Sequence, residues 1–304
     1  MLPTLVLAGT SSTRNSQYAQ LGARHATWSL LSPACERVPR HPGVARVGAG
    51  RDTARVIEIR GTTTLVGLLG HPVSHSLSPR MQNAAFAALG LDWAYVPLPT
   101  AKRDLTAAVR GLVATGFAGA NVTIPHKQAV LPLCDELDEI ARRAGSANTL
   151  VIRDGRVLGS STDGKAVTDH IDAHGRRALV LGKGGAALAV AQALQDEGAT
   201  EVALVSRRDA HWPPDAHDYD VLVNATPIRD EVVATPHEWQ QVVDLAYRPD
   251  GEPTALVALA RAGGCEVVVD GLDVLLLQGA ASFERWTGLP APLVAMREAL
   301  RSVT

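Results

Sequence analysis

Residues 177–198 read RALVLGKGGAALAVAQALQDEG. The first five, 177–181, carry an unbroken apolar run that predicts a buried strand. Glycines follow at once, and then alanine-rich sequence that predicts a helix through 188–197. Strand, glycine turn and helix form the opening unit of a dinucleotide fold. Glycine lets the backbone approach a pyrophosphate, and a helix N-terminus presents free amides and a favourable dipole. Gly182, Gly184 and Ala187 fit the spacing G-x-G-x-x-A, between a strand and a helix as the motif requires. An ordinary tight strand-to-helix turn has the same local form, so the rest of the chain has to decide.

Working outward, further strands are predicted at 201–205, 220–224, 242–245 and 266–270. On the N-terminal side, 64–70 reads as a strand ended by Gly and Pro72. Ser78 and Pro79 then suit an N-cap and a first helical turn, for a helix that stops at Gly90. A strand at 93–98, a helix at 102–115, a strand at 119–124 and short helices at 127–133 and 138–144 follow. The segments 148–152 and 156–158 read as a strand pair joined at the turn Asp154-Gly155. Such alternation predicts an α/β protein with largely parallel sheets: an N-terminal α/β domain and a Rossmann-like dinucleotide-binding domain.

Composition bounds the function. The chain has 304 residues, room for about two domains, and 46% are hydrophobic. The net charge of −2 gives no general case for nucleic-acid binding. Cys35, Cys134 and Cys265 have neither disulfide-framework nor zinc-ligand spacing. With no apolar run near membrane-spanning length, the expectation is a cytoplasmic protein without membrane or nucleic-acid partners. Residues 1–55 differ: seven arginines against two acids. This suits a transit segment, but we read 1–61 as a flexible extension or residues preceding the true start.

The strand 201–205 ends in Ser206-Arg207-Arg208. NAD sites usually place an acid there for the ribose hydroxyls, whereas arginine forks a phosphate. NADP is therefore expected, with NAD left possible by Asp209.

Four polar segments adjoin apolar strands: HPVSHSLSP (71–79), NVTIPHK (121–127), GSANT (145–149) and STDG (161–164). Strand ends of this kind line the rim where α/β sheets bind ligands. A hydroxylated substrate needs short hydroxyl and amide partners. Its oxidation needs a group to take the hydroxyl proton, and Lys127 beside Asp163 suits that role; a solvated surface lysine is the plainer reading. His71 and His75 stand four apart, but Pro72 opposes a helix there, so no metal site is expected. His126 and Trp286 read as packing residues.

These segments, with LGKGGAA (181–187), VNATP (223–227) and QGAASFERWTG (278–288), resemble the shikimate dehydrogenase family from about 67 to about 298. The resemblance implies NADP-dependent oxidation of shikimate to 3-dehydroshikimate by a monomer or homodimer. It implies that Lys127 and Asp163 are catalytic and that Ser76, Ser78, Thr123, Asn148, Tyr247 and Gln278 bind substrate. The cofactor would meet Gly182, Gly184, Gly185 and Ala186, then Ser206, Arg207 and Arg208, then Asn224, Ala225 and Thr226. Residues 62–163, with returning helices at 272–304, would form the substrate domain and 164–271 the dinucleotide domain. Quinate or aminoshikimate oxidation is the alternative activity, and a non-catalytic shikimate sensor the alternative of another class.

The chain departs from the family pattern in four places. Lys183 lies inside the glycine turn, Ser161 replaces the usual Asn, and Arg229-Asp230 stands where a glycine is common. Only 17 residues, 207–223, separate Ser206 from Asn224, too few for the usual helix and strand. A trimmed dinucleotide domain is expected, with HWPPDAHD (211–218) as loop.

Overall fold

Two sheets grow from the two apolar alternations. The computed structural model describes residues 58–302; the expected N-terminal extension and Cys35 lie outside them, save 58–61. In the first sheet, β1 (Thr64–Gly70) lies between β2 (Trp93–Pro99) and β3 (Gly119–Val122), both parallel to it. The hairpin β5 (Thr149–Arg153) and β6 (Arg156–Ser160) continues it antiparallel, and the two-residue β4 (Glu136–Leu137) closes it. The order is β2-β1-β3-β5-β6-β4. The expectation of a largely parallel sheet holds here for β1–β3 and for β4 with β6, while β5 pairs antiparallel to both its neighbours. The hairpin turns antiparallel because Asp154 and Gly155 take φ of 52° and 74°, which reverses the chain within two residues.

Helices α1 (Ser78–Ala88), α2 (Leu105–Ala114) and α3 (Glu139–Ala144) sit where expected. The expected helix over 127–133 does not form; only a single 3-10 turn, Leu131–Leu133, is present. Pro132 disfavours helical backbone at the residue before it and denies a helix one donor, so the segment cannot propagate.

The second sheet is fully parallel, in the order β11-β10-β9-β7-β8. Its strands are β7 (Arg177–Leu181), β8 (Glu201–Val205), β9 (Val221–Asn224), β10 (Gln241–Asp244) and β11 (Val267–Val269). A full dinucleotide sheet runs 3-2-1-4-5-6. With β7 as the first strand, this one runs 2-1-4-5-6, and β8 is its edge. The shortened stretch after Ser206 has thus removed the outer strand.

The two faces of this sheet are covered differently. One carries α4 (Asp163–Thr168), α5 (Gly185–Asp196) and the start of α7 (Gly271–Thr287), whose Val167, Val190, Leu194 and Val274 pack on Val180, Val223 and Val243. The other has α6 (Ala255–Ala262) and loop residues: Ala216, Val233 and Ala234 join Leu256 and Ala260 over Leu179, Leu181 and Leu222, with Trp212 and Tyr219 at the margin. Loops therefore cover what a helix would otherwise bury. Helix α7 then crosses back, and with α8 (Leu293–Arg301) it packs against α1 and the first sheet through Phe86, Phe283, Trp286 and Met296. Among the described residues no helix is long and apolar enough to cross a membrane.

Candidate active site

The rim of the first sheet carries a chain of bonded polar groups. Lys127 follows the end of β3, and Asp163 opens α4 just after β6. The ammonium of Lys127 donates to Asp163 Oδ2 at 2.6 Å. Their side chains are only 13% and 7% exposed, which sets aside the surface-charge reading of Lys127. Asn148 Nδ2 donates to Asp163 Oδ1 at 2.9 Å and to Thr162 Oγ1 at 2.8 Å. Gln278 joins from α7, with Oε1 3.5 Å from Asn148 Nδ2 and its carbonyl accepting the Thr162 hydroxyl at 3.1 Å. Both carboxylate oxygens of Asp163 are thereby held, and its orientation toward Lys127 is fixed.

Sequence reasoning missed the inner half of this network. Asn121 Nδ2 donates to the Asn148 carbonyl at 3.1 Å and to Ser282 Oγ at 2.9 Å, and its Oδ1 accepts the Tyr95 hydroxyl at 3.0 Å. Two signals were present: Asn121 interrupts an apolar strand, and Ser282 lies one helical turn beyond Gln278 on the same face of α7. Burial pushes the Tyr95 phenol well above its ordinary pKa, and a hydrogen bond with the Ser78 side chain opposes the rise.

Ser76, Ser78 and Tyr247 also come together. The Ser76 hydroxyl accepts from the Ser78 amide at 3.2 Å, and the Tyr247 phenol oxygen accepts from the Leu77 amide at 3.3 Å. Ser78 is the first residue of α1 and makes no capping bond, contrary to its expected N-cap role; the cap position falls to Leu77. The Ser78 hydroxyl is thus not spent on the helix. Thr123 stands half-buried at the end of β3, with its methyl against Gly70. His126 is fully buried and its Nε2 lies 2.7 Å from the Thr100 carbonyl, a packing role as expected. Trp286 is also core, donating to the Leu150 carbonyl at 2.9 Å.

On the second sheet, Gly182 adopts φ of 122°, a backbone that side chains rarely permit, and its amide donates to the Val205 carbonyl at 2.7 Å. The start of α5 has no side-chain cap, so its first amides point outward beside Gly184 and Gly185. A Cβ at Gly184 would meet nothing within 4 Å, whereas one at Gly185 would stand 2.5 Å from Lys127 Cβ and 2.6 Å from Ser146 Oγ. Gly185 is therefore where the two sheets' rims touch, and glycine is required there by Lys127. Arg143 on α3 and Asp196 on α5, 2.5 Å apart, tie the same two sides together.

Arg207 and Arg208 project from the end of β8 and make no ion pair with a described acid. Arg207 also lines a pocket of about 520 Å³ with Trp212, Pro227, Ile228 and Arg229. Asp209 is held down to a pKa of about 2, first by Lys183 and then by the Ser206 amide and hydroxyl. Asn224 is fully buried and spends its amide inside the protein: it donates to the Ile228 carbonyl and Asp244, and accepts from Thr226. It shapes the turn, leaving the half-buried Ala225 and Thr226 accessible. Burial raises Asp244 to about 6, against opposing bonds from Thr254, Ala246 and Asn224.

Comparison with known proteins agrees with this geometry. The family model for the shikimate dehydrogenase substrate binding domain matches residues 68–150, and that for the shikimate 5′-dehydrogenase C-terminal domain matches 271–301. The shikimate dehydrogenase (NADP(+)) of Moorella thermoacetica is 40% identical over 284 residues, covering 81% of this chain and 95% of that protein. The shikimate 5-dehydrogenase of Thermus thermophilus, solved with NADP(H) and shikimate, superposes with a TM-score of 0.68 at 33% identity, covering 80% of this chain and all (100%) of that one. The fold also serves another substrate: a 5-ketofructose reductase of Gluconobacter sp. strain CHM43 gives a TM-score of 0.71 at 28% identity, covering 81% and 100%. By the identity and coverage of these relatives, and by the site that its own residues build, the chain belongs to the shikimate dehydrogenase family.

Proposed function

We propose that this protein is an NADP-dependent shikimate dehydrogenase, catalysing the reversible oxidation of shikimate to 3-dehydroshikimate. The observation that carries the reading is the sequestered Lys127–Asp163 pair, held at 2.6 Å beside the glycine turn of the second sheet. Residues 62–163 with the returning helices 272–304 serve as the substrate domain, and 164–271 as the dinucleotide domain.

The second rim suits the cofactor on its own residues. Uncapped amides at the start of α5 fit a pyrophosphate, Gly184 leaves space for close approach, and Arg207 and Arg208 fit a 2′-phosphate. Bound there, NADP⁺ would supply the hydride acceptor. Ser76 and Ser78 hold the substrate carboxylate, with Tyr247 beside them. Thr123, Asn148 and Gln278 meet the ring hydroxyls. As the alcohol carbon loses its hydride, Lys127 Nζ acts as the general base that takes the hydroxyl proton; in the reverse direction Lys127 returns it to the alkoxide oxygen. Asp163, fixed by Asn148, orients the Lys127 amine. Burial keeps water from the proton path. We assign the protein to the cytoplasm, a reducing compartment that suits the free thiols Cys134 and Cys265.

The test is a matrix of steady-state rates with shikimate, quinate and aminoshikimate, each with NADP⁺ and NAD⁺. Shikimate with NADP⁺ is expected to give the highest kcat/KM. Preference for another acid would move the chain to a specialised paralogue. Shikimate binding without turnover would make it a sensor.

A further inference from the structure

Lys183 is the one residue of the glycine turn whose side chain the turn itself does not need. It leaves the end of β7 and its ammonium donates to Asp209 Oδ1 at 2.8 Å, past the end of β8. The other oxygen, Asp209 Oδ2, accepts from the Ser206 amide at 2.6 Å and from the Ser206 hydroxyl at 3.0 Å. Both carboxylate oxygens are therefore engaged. Dinucleotide folds place an acid at this strand end to bind the ribose diol. Here the acid is present but occupied, and the group occupying it is a cation. The acids Asp230 and Glu231 line the same pocket as Arg207, and Asp230 is bound by Arg248.

We propose that Lys183 is a specificity-determining residue for the cofactor: it masks Asp209 from a ribose diol and adds a third positive charge, with Arg207 and Arg208, where a 2′-phosphate binds. The inference rests on the NADP-dependent reading above. It predicts two opposite effects of one substitution. Removing the ammonium weakens phosphate binding and at the same time frees a carboxylate to accept the 2′- and 3′-hydroxyls of an unphosphorylated ribose. A lysine that simply held the pyrophosphate shared by both cofactors would weaken both alike.

The experiment is calorimetric titration of the full chain with 2′-phospho-ADP-ribose and with ADP-ribose, fragments that share the pyrophosphate and differ only in the 2′-phosphate. Lys183 and Asp209 side chains are 49% and 34% exposed, so the variants keep their cores. The unmodified protein is expected to prefer 2′-phospho-ADP-ribose at least ~10-fold, as a charge-assisted contact implies. Lys183→Met should cut that preference about 10-fold, with 2′-phospho-ADP-ribose binding more weakly and ADP-ribose more tightly. Adding Asp209→Asn should abolish the ADP-ribose gain and keep the 2′-phospho-ADP-ribose loss. Equal weakening of both fragments by Lys183→Met, or no change in either, overturns the proposal. Fragment binding does not depend on the substrate. A chain that discriminates the fragments yet oxidises no shikimate would therefore contradict the functional reading while supporting the role of Lys183.

Discussion

The two rims facing each other at Gly185 are built on opposite plans. The rim of the first sheet, where we propose the substrate binds, is closed: Tyr95, Asn121, Asn148, Thr162 and Asp163 are buried and bonded to one another. The rim of the second sheet, the proposed cofactor side, is open and charged, with Lys183, Arg207 and Arg208 exposed. The contrast suits the roles proposed for the two rims. A proton moves efficiently only between groups fixed at hydrogen-bond distance and shielded from water. A dinucleotide has to enter and leave, and its phosphates are recognised by charge, which tolerates solvent better than a proton relay does. The same contrast explains which half lost material. Removing a strand and helix next to β8 exposes an edge that loops can cover, whereas any deletion near Asn148 would leave buried polar groups without partners.

The largest effect tests the closed rim. Lys127→Ala should lower kcat about 10²- to 10⁴-fold, the usual contribution of a general acid or base, while calorimetry finds shikimate affinity nearly unchanged. Equal losses in turnover and affinity would make Lys127 a binding residue. Next comes the seam between the rims. Gly185→Ala forces a methyl into Lys127 and should cost about 10²-fold in kcat/KM, since small displacements of reacting groups are that expensive. Gly184→Ala, which meets no protein atom, should act only by raising KM for NADP⁺. Similar profiles for the two variants would erase the distinction between seam and cofactor contact.

The open rim should respond more mildly. Arg207→Ala is expected to raise KM for NADP⁺ about 10-fold, as the loss of one charge-assisted bond implies, with NAD⁺ unaffected. An equal change for both would remove Arg207 from the phosphate site. The smallest effect on turnover concerns Asp244. Its folded pKa of about 6 exceeds its ordinary 3.8 because burial dominates. Between those values the folded protein retains a proton that the unfolded chain has released. Asp244 therefore makes stability fall as pH rises through that window, and adds no further slope above it. Denaturant titrations across the window should show that component of the slope vanish in Asp244→Asn, leaving turnover at neutral pH little changed.

Most of the fold was legible because apolar runs and turn residues carry it. The strands of both sheets except β4, the Asp154-Gly155 hairpin and the short 207–223 connection read directly from local sequence. The expected helix at 127–133 failed where Pro132 outweighed a weak helical pattern. The two-residue β4 is too short to leave a period. In the site, Lys127, Asp163, Asn148 and Gln278 were readable as polar residues at strand ends or in a late motif. Tyr95 and Ser282 were not singled out, because each sits within an element that reads as core and gains its meaning only from partners distant in sequence. The Lys183–Asp209 bridge was hidden for the same reason: its members end neighbouring strands, 26 positions apart.

The most direct test of the account is a single turnover. The chain, with saturating shikimate, is mixed rapidly with NADP⁺ and NADPH formation is followed by its near-ultraviolet absorbance. Rapid reduction of NADP⁺ is expected in the unmodified protein, with the trimmed half still bringing the cofactor to Lys127. Calorimetric binding of both ligands with no NADPH formed would show that the two rims do not work as one active site.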